Sequence, residues 1–164
     1  MAATALLKLA GFTNDLRYVD IARQALAQIQ PMMARYPLGF GQWLQALAYA
    51  LSKPREIAIV GDPDSVDTQA LLHVVRDGYR PFQVVALGEP DIDDVQLAQA
   101  RQLPSNADDR VVRIAAVLLL QDRGQLDGQA TAYVCQAFAC QAPTTEPEVL
   151  QTRLARRLRI VSEA

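Results

Sequence analysis

The chain has 164 residues, of which 51% are apolar and 21% are charged, and its formal net charge is −2. This length and composition are usual for a globular fold of one domain, or of one domain with an appendage. The charge argues against nucleic acid as a partner, because proteins that bind it usually carry a strong basic excess. The longest apolar run, over 111–120 and interrupted by Arg113, is far shorter than the ~20 residues of a membrane span. We therefore expect neither a nucleic-acid nor a membrane partner.

The two cysteines and the single histidine limit the chemistry further. Two cysteines are too few for a disulfide scaffold, and the opening residues lack the features of a secretory signal. We expect a reducing compartment and a cytoplasmic location. A structural zinc site takes four Cys or His ligands, and His73 lies within a predicted helix. We predict no metal site and no cofactor.

Helical patterns dominate the first third of the chain. Apolar residues recur at helical spacing, oxygen-bearing side chains at 13–15 cap one helix start, and Gly11 is a usual stop signal. Pro31 should kink or break the second helix, because proline has no amide hydrogen and clashes one turn back. The predicted helices cover 2–10, 16–33 and 39–52. Short loops make them antiparallel hairpins, which we assign to a segment over 1–53.

The pattern then changes to strands and helices, and we assign 54–164 to a small α/β domain. A strand, a helix and a strand follow one another within ~30 residues, so the two strands should be parallel with a right-handed crossover. Strands are predicted over 56–60, 82–87 and 131–135, and helices over 66–77, 92–102 and 146–159, while 111–120 fits either. The predicted fold class is α/β, with N-terminal helical hairpins followed by a mainly parallel three-stranded sheet flanked by helices.

Cys135 and Cys140 form the most suggestive pair of reactive groups. A redox dithiol or a disulfide is one interpretation, and buried structural thiols are the other. Five residues of continuous strand would separate the Cα atoms by about 16 Å, whereas a disulfide needs less than about 7 Å. A turn within 136–139 would close the gap. Because free cysteine is among the most buried residue types, we expect reduced cysteines, at least one of them mostly buried.

A second candidate site follows the first predicted strand, where Gly61, Asp62, Asp64 and Ser65 open a helix. Open α/β sheets bind ligands at such places, and helix N-termini suit phosphate. Two aspartates argue against an anion, however, and no glycine-rich nucleotide motif is present. The sequence favours a turn here over a ligand loop.

Aromatic side chains in the helical segment allow two interpretations. They could stack on a sugar, or they could form a packing face, and apolar stripes at helical spacing usually indicate core. The residues concerned are Tyr36, Phe40, Trp43 and Tyr49. We favour packing.

Three stretches carry a family resemblance: LLKLAGFTNDLRYVDIARQAL, PREIAIVGDPDSVDTQALLHVVRDGYRP and DGQATAYVCQAFACQAPTTEPEVL. In this order they resemble the C-terminal end of the DUF255 family of thioredoxin-domain-containing proteins. The resemblance implies a thioredoxin-like domain, an (α/α) barrel of the six-hairpin type and a closing α/β portion, of which this chain matches the last hairpins and the α/β portion. It implies no catalytic residue in this chain.

Three functions are therefore open. The first is a non-catalytic C-terminal module that completes or stabilises a barrel, with the upstream part of such a protein as its partner. The second is a fragment of a carbohydrate-active, epimerase-like enzyme, and the third is a thiol-redox accessory domain. Uncovered apolar positions on the N-terminal helices would also favour self-association as a two-fold dimer. Those positions are Leu16, Val19, Leu26, Ile29, Met33, Phe40, Trp43, Leu44, Leu47 and Leu51.

Overall fold

The structure, a computed structural model, describes residues 2–89, 118–136 and 139–155. The helices are α1 (Ala2–Thr13), α2 (Leu16–Arg35), α3 (Gly41–Leu51), α4 (Val66–Arg76) and α5 (Pro147–Ala155), with short 3₁₀ helices at Pro37–Phe40 and Leu118–Leu120. The strands are β1 (Arg55–Val60), β2 (Gln83–Gly88), β3 (Thr131–Gln136) and β4 (Ala139–Cys140). The α/β fold class with N-terminal helical hairpins is confirmed.

Local chemistry explains where the N-terminal helices begin and end. Gly11 does not end α1 as expected and lies inside the helix. It is close to Val84, and a Cβ at this position would come within 3.1 Å of that side chain. The helix ends instead at Thr13, and the next residue, Asn14, adopts φ 54°, a conformation that asparagine tolerates. Asp15 then caps α2 by accepting a hydrogen bond from the Arg17 amide. Pro31 causes no break, and α2 continues to Arg35.

The sheet has the strand order β2-β1-β3-β4. Strands β1 and β2 are parallel, as predicted for a strand–helix–strand unit. The sheet nevertheless differs from the mainly parallel three-stranded one that we expected, because β3 runs antiparallel to β1 and a short fourth strand pairs antiparallel with β3. The residue pattern of a strand indicates burial on its faces and does not specify the direction of its neighbour.

Each face of the sheet is covered by helices. Alternate side chains of β1 point to opposite faces, as strand geometry requires. Ile57 and Ile59 pack with α4 and α5, whereas Ala58 and Val60 lie on the face that receives Phe12 of α1. The helical hairpins form a further apolar cluster, which Phe82 at the start of β2 joins. The N-terminal helices therefore pack directly on the α/β part.

Several expectations fall outside the described residues. They are the helix over 92–102, most of the ambiguous segment over 111–120, and the end of the final helix at 156–159. Among the helices that the structure does describe, none is long and apolar enough to cross a membrane.

Candidate functional site

Cys135 and Cys140 are joined by a disulfide bond, with their Sγ atoms 2.05 Å apart. The expectation of reduced thiols is therefore wrong. It assumed one continuous strand, but the cysteines lie on the antiparallel strands β3 and β4, and their Cα atoms are only 3.9 Å apart. The expectation that at least one cysteine is buried is confirmed, since Cys135 is 2% exposed. Cys140 is exposed, so one sulfur of the pair belongs to a side chain that solvent reaches.

Three adjacent strands place a carboxyl group in line with the two sulfurs. Glu56 on β1 pairs with Cys135 on β3, and Cys135 pairs with Cys140 on β4. Directly paired residues of antiparallel strands project from the same face of a sheet. The row of Glu56, Cys135 and Cys140 therefore lies on the α1 side of the sheet, with Ala58 and Tyr133 as neighbours on that face.

Arg123 brings a positive charge to both sulfurs. Its Nη2 atom lies 3.3 Å from Sγ of Cys135 and 3.5 Å from Sγ of Cys140. The guanidinium also lies over the ring of Tyr133, 5.7 Å from its centroid. A cation in this position stabilises the thiolate that forms when the disulfide is opened.

The segment that carries Arg123 is tied to the sheet at several points. The hydroxyl of Tyr133 donates a 2.7 Å hydrogen bond to the carbonyl of Gly124. The amide of Leu126 donates to the hydroxyl of Thr131 at 2.8 Å, and the amide of Ala130 donates to the carboxylate of Asp67 at 2.7 Å. These bonds fix the loop between the 3₁₀ helix at Leu118–Leu120 and β3, and they set the position of the guanidinium.

Burial shifts the pKa of both ionisable groups at this site toward the neutral form. Loss of hydration lowers the pKa of Arg123, while the nearby Glu56 acts in the opposite direction. Loss of hydration likewise raises the pKa of Glu56, while Arg123 acts to lower it. Each side chain is half-buried, so the protein surrounds the sulfurs with one cation and one carboxyl group that takes up a proton more readily than usual.

A cavity of about 180 Å³ opens at the disulfide. Its lining includes both cysteines, Arg123 and Glu56, together with the end of α1 at residues 10–12 and Asn14. The disulfide is thus placed at the wall of a depression between the helical hairpins and the sheet. A small molecule or a side chain that enters this depression would meet the sulfurs and the guanidinium together.

The turn after β1 holds its oxygen atoms in internal hydrogen bonds. The carboxylate of Asp62 accepts a 2.9 Å bond from the amide of Asp64, and the hydroxyl of Ser65 lies 2.8 Å from both the carbonyl of Asp62 and the hydroxyl of Thr68. Gly61 is buried, and a Cβ there would come 2.9 Å from that of Ala130. The close approach explains the glycine, and the bonds explain the polar residues, without a ligand. A ligand role for these residues stays a prediction.

Three of the four aromatic residues considered in the helical segment belong to its apolar cluster. Phe40 and Trp43 lie against the apolar cluster of the helical hairpins, and Tyr49 is one of its buried members. Tyr36 is exposed beside Arg35, whose guanidinium lies 5.2 Å from the ring centroid. The favoured interpretation, packing, is confirmed for Phe40, Trp43 and Tyr49.

Sequence reasoning found the cysteines and missed their two charged neighbours. A partial signal existed for Glu56, because alternation along β1 places it on the same face as Ala58 and Val60. No signal marked Arg123, which lies in an irregular segment and comes close to the sulfurs only through the fold. The reversal between the cysteines was also hidden, since residues 136–139 (Gln-Ala-Phe-Ala) contain none of the usual turn residues.

Comparison with curated proteins shows what this chain is similar to. It is 31% identical to spermatogenesis-associated protein 20 of Homo sapiens over 147 residues, which cover 90% of this chain and 16% of the relative. The chain is thus similar to a part of spermatogenesis-associated protein 20. The proteins of that name from Rattus norvegicus and Mus musculus are 29% and 28% identical over the same shares. No family model and no solved structure matches the chain.

The match supports the resemblance described above. It covers too little of the relative for that protein's activity to be assigned to this chain. The chain spans only 16% of the length of spermatogenesis-associated protein 20. It is therefore similar to one region of spermatogenesis-associated protein 20.

Proposed function

We propose that this chain provides a thiol–disulfide exchange site to a thioredoxin-domain family protein. The observation that supports the proposal is the contact of one guanidinium, that of Arg123, with both sulfurs of the Cys135–Cys140 disulfide. A disulfide that only braces a hairpin needs no cation. A disulfide that is opened and closed benefits from one, because the cation stabilises the leaving thiolate.

The exposure of the two cysteines gives the exchange a direction. A thiolate of an incoming dithiol attacks Sγ of the exposed Cys140, the bond between the cysteines breaks, and Cys135 leaves as a thiolate beside Arg123. The second thiolate of the dithiol then attacks the dithiol's own first sulfur, which is bonded to Sγ of Cys140. This closes a disulfide in the donor and releases Cys140 as a thiolate. Two electrons pass from the dithiol to this chain. The two protons of the dithiol end on Cys135 and Cys140, and the donor becomes a disulfide.

A cytoplasmic location, which we propose from the sequence, fits this function. Disulfides in the cytosol of mesophilic organisms are mostly transient and serve catalysis or redox sensing. The donor would be a dithiol, such as one on a thioredoxin-like domain of the same protein.

Equilibration with dithiothreitol buffers of graded potential tests the proposal. Free thiols are trapped by alkylation and counted by mass spectrometry. We expect reversible opening with a midpoint above about −300 mV, the region below which structural disulfides usually lie. Arg123→Gln should slow the reduction of the disulfide about tenfold or more, since it removes the charge that stabilises the leaving thiolate. Arg35→Gln, which removes an arginine remote from the sulfurs, is the control. A midpoint below that region, or equal rates for Arg123→Gln and the wild type, would contradict the proposal.

A second candidate is the non-catalytic module that completes a helical barrel. Apolar side chains that remain exposed on the helical hairpins favour it, since Leu16 is 64% and Leu51 is 74% exposed. Leu26 and Met33, in contrast, are buried within the chain. The upstream part of a family protein, or a second copy of this chain, would cover the exposed positions. Sedimentation of the wild type and of Leu16→Ser/Leu51→Ser at micromolar concentration tests the second copy, and a monomer in both cases would count against self-association.

A further inference from the structure

The two edges of the sheet differ in how well they are protected. One edge is β4, which is only two residues long and is joined to β3 by the disulfide. The other edge is β2, which has six residues and pairs with β1 along its whole length without a bulge. Within the described part of the chain, no strand pairs with the outer side of β2. A regular edge strand of this kind is a template for pairing with a further strand.

The residues of β2 provide no obstacle to such pairing. Natural sheets usually protect an edge with a charged side chain, a proline or a bulge. The sequence of β2 is Gln-Val-Val-Ala-Leu-Gly, which contains neither a charge nor a proline. In contrast, β1 in the interior of the sheet begins with Arg55 and Glu56. The outer edge of β2 therefore lacks the usual protection.

The hydrogen bonds to β1 show which backbone groups of β2 point outward. The amide of Arg55 donates a 3.0 Å hydrogen bond to the carbonyl of Phe82, the residue directly before β2. Backbone groups of successive residues in a strand point to opposite sides, so the even-numbered residues of β2 bond to β1. The amides and carbonyls of Gln83, Val85 and Leu87 therefore point to the outer edge.

An apolar groove follows β2 on the α4 side of the sheet. Its volume is about 430 Å³, and its lining includes Leu72 and Val75 of α4 and Val85 and Leu87 of β2. Helix α4 packs mainly on β1 and β3, which leaves the two β2 side chains half-buried. A strand that pairs with the outer edge of β2 would place its own side chains beside them and cover this surface.

Charges of opposite sign flank β2. Arg80 precedes the strand, where its guanidinium donates to the carbonyl of Val74 near the end of α4, and Glu89 follows the strand directly. An antiparallel copy of β2 would bring its Glu89 close to Arg80 at one end of the pair, and its Arg80 close to Glu89 at the other. A parallel copy would bring like charges together, which destabilises a strand pair. The flanking charges therefore favour an antiparallel partner of the same sequence.

We propose that the outer edge of β2 pairs antiparallel with β2 of a second copy of this chain, which gives a two-fold dimer with one continuous sheet. Val85 lies at the two-fold axis opposite Val85 of the second copy, and Gln83 lies opposite Leu87 of the second copy. This register joins the outward-pointing amides and carbonyls and keeps opposed side chains on the same face. The interface is separate from the helical hairpins and does not depend on the exchange function.

Sedimentation equilibrium at micromolar concentration tests for this dimer. We expect the wild type to dimerise. Val85→Lys should raise the dissociation constant of the dimer by more than about tenfold, because it opposes two positive charges at the axis. Val149→Lys, the same change at an exposed position of α5, should match the wild type. Circular dichroism checks that both variants are folded.

A cysteine at the axis gives a test that does not depend on a disruptive charge. Directly paired residues that exchange backbone hydrogen bonds have Cα atoms about 5.5 Å apart, a distance that a disulfide bridges. Val85→Cys should therefore join two copies covalently on mild oxidation, which non-reducing electrophoresis detects. Val149→Cys should cross-link at least about tenfold more slowly, since its thiol meets that of another copy only by collision.

The outcomes separate this interface from the alternatives. A monomeric wild type, or equal cross-linking rates for Val85→Cys and Val149→Cys, would overturn the proposal. A dimer that Leu16→Ser/Leu51→Ser dissociates and Val85→Lys leaves intact would also overturn it, since that interface would lie on the helical hairpins. The exchange site is tested independently by the reaction with dithiothreitol, so neither result affects it.

Discussion

The two faces of the sheet differ in what they bury. The face under α4 and α5 is apolar and tightly closed, with Ile57, Ile59, Leu71 and Leu150 fully buried. The face under α1 has a smaller apolar cluster, and beside it lie the row of Glu56 and the two cysteines, Arg123 and a cavity. One face is therefore apolar throughout, while the other combines an apolar cluster with a disulfide and two charged groups at the edge of a cavity. Stability and reactivity should be separable by mutation.

The largest effect is expected on the apolar face. Leu150→Ala should lower the free energy of unfolding by about 2–5 kcal/mol, because it leaves a cavity where α5 meets α4. Urea denaturation measures this loss. Val149→Ala, at the exposed neighbouring position, should change it by less than about 0.5 kcal/mol. The disulfide of the folded variant should be reduced at the same rate as that of the wild type. A slower reduction would show that the two faces are coupled.

Reduction of the disulfide should have a smaller effect. The cysteines are five positions apart, so the bond closes a short loop and restricts the unfolded chain little. We expect reduction to lower the free energy of unfolding by about 2 kcal/mol. Calorimetry of the oxidised and reduced protein tests this value, with Cys135→Ser/Cys140→Ser as a reference that cannot re-oxidise. Complete unfolding on reduction would make the disulfide a structural requirement instead.

Tyr49→Phe should raise stability, by about 1 kcal/mol, because it removes a buried hydroxyl that lacks a partner. Most large-to-small changes in a core destabilise, so the sign of this effect is informative. Thermal unfolding of the oxidised protein would measure it, beside Tyr36→Phe at an exposed site. A loss of stability would mean that the hydroxyl already has a hydrogen-bond partner in the folded protein.

The smallest effect depends on pH and concerns Glu56. Burial raises its pKa above the usual 4.5, so its contribution to stability is fully present below pH 4.5 and is lost as the pH rises through the raised value. The side chain of Glu56→Gln cannot ionise, so the free energy of unfolding of this variant should rise relative to that of the wild type over that pH range. Urea denaturation from pH 4 to pH 7 gives the difference, with Asp20→Asn on the exposed side of α2 as control. A difference that is constant with pH would contradict a buried carboxyl.

Sequence patterns predicted the elements of this fold far better than its site. The helices and the first three strands follow from apolar periodicity and from capping residues such as Asp15. The fourth strand is only two residues long, which is too short for any periodicity, yet it brings Cys140 to Cys135. Arg123 is twelve residues from Cys135 in sequence and reaches it through the hydrogen bonds of an irregular loop. Contacts of this kind depend on three-dimensional packing, which local patterns do not contain.

The anchoring of the Arg123 loop has a consequence for conformational entropy. A long arginine side chain on a free loop would lose much of its freedom whenever a thiolate formed beside it. Here Tyr133, Thr131 and Asp67 already hold the loop to the sheet and to α4. Most of the ordering has taken place during folding, so the cation is in position before any sulfur becomes charged. The loop is thus a preorganised element. Tyr133→Phe would remove the bond to Gly124, so that the guanidinium would have to be ordered when the thiolate forms, although neither cysteine is changed.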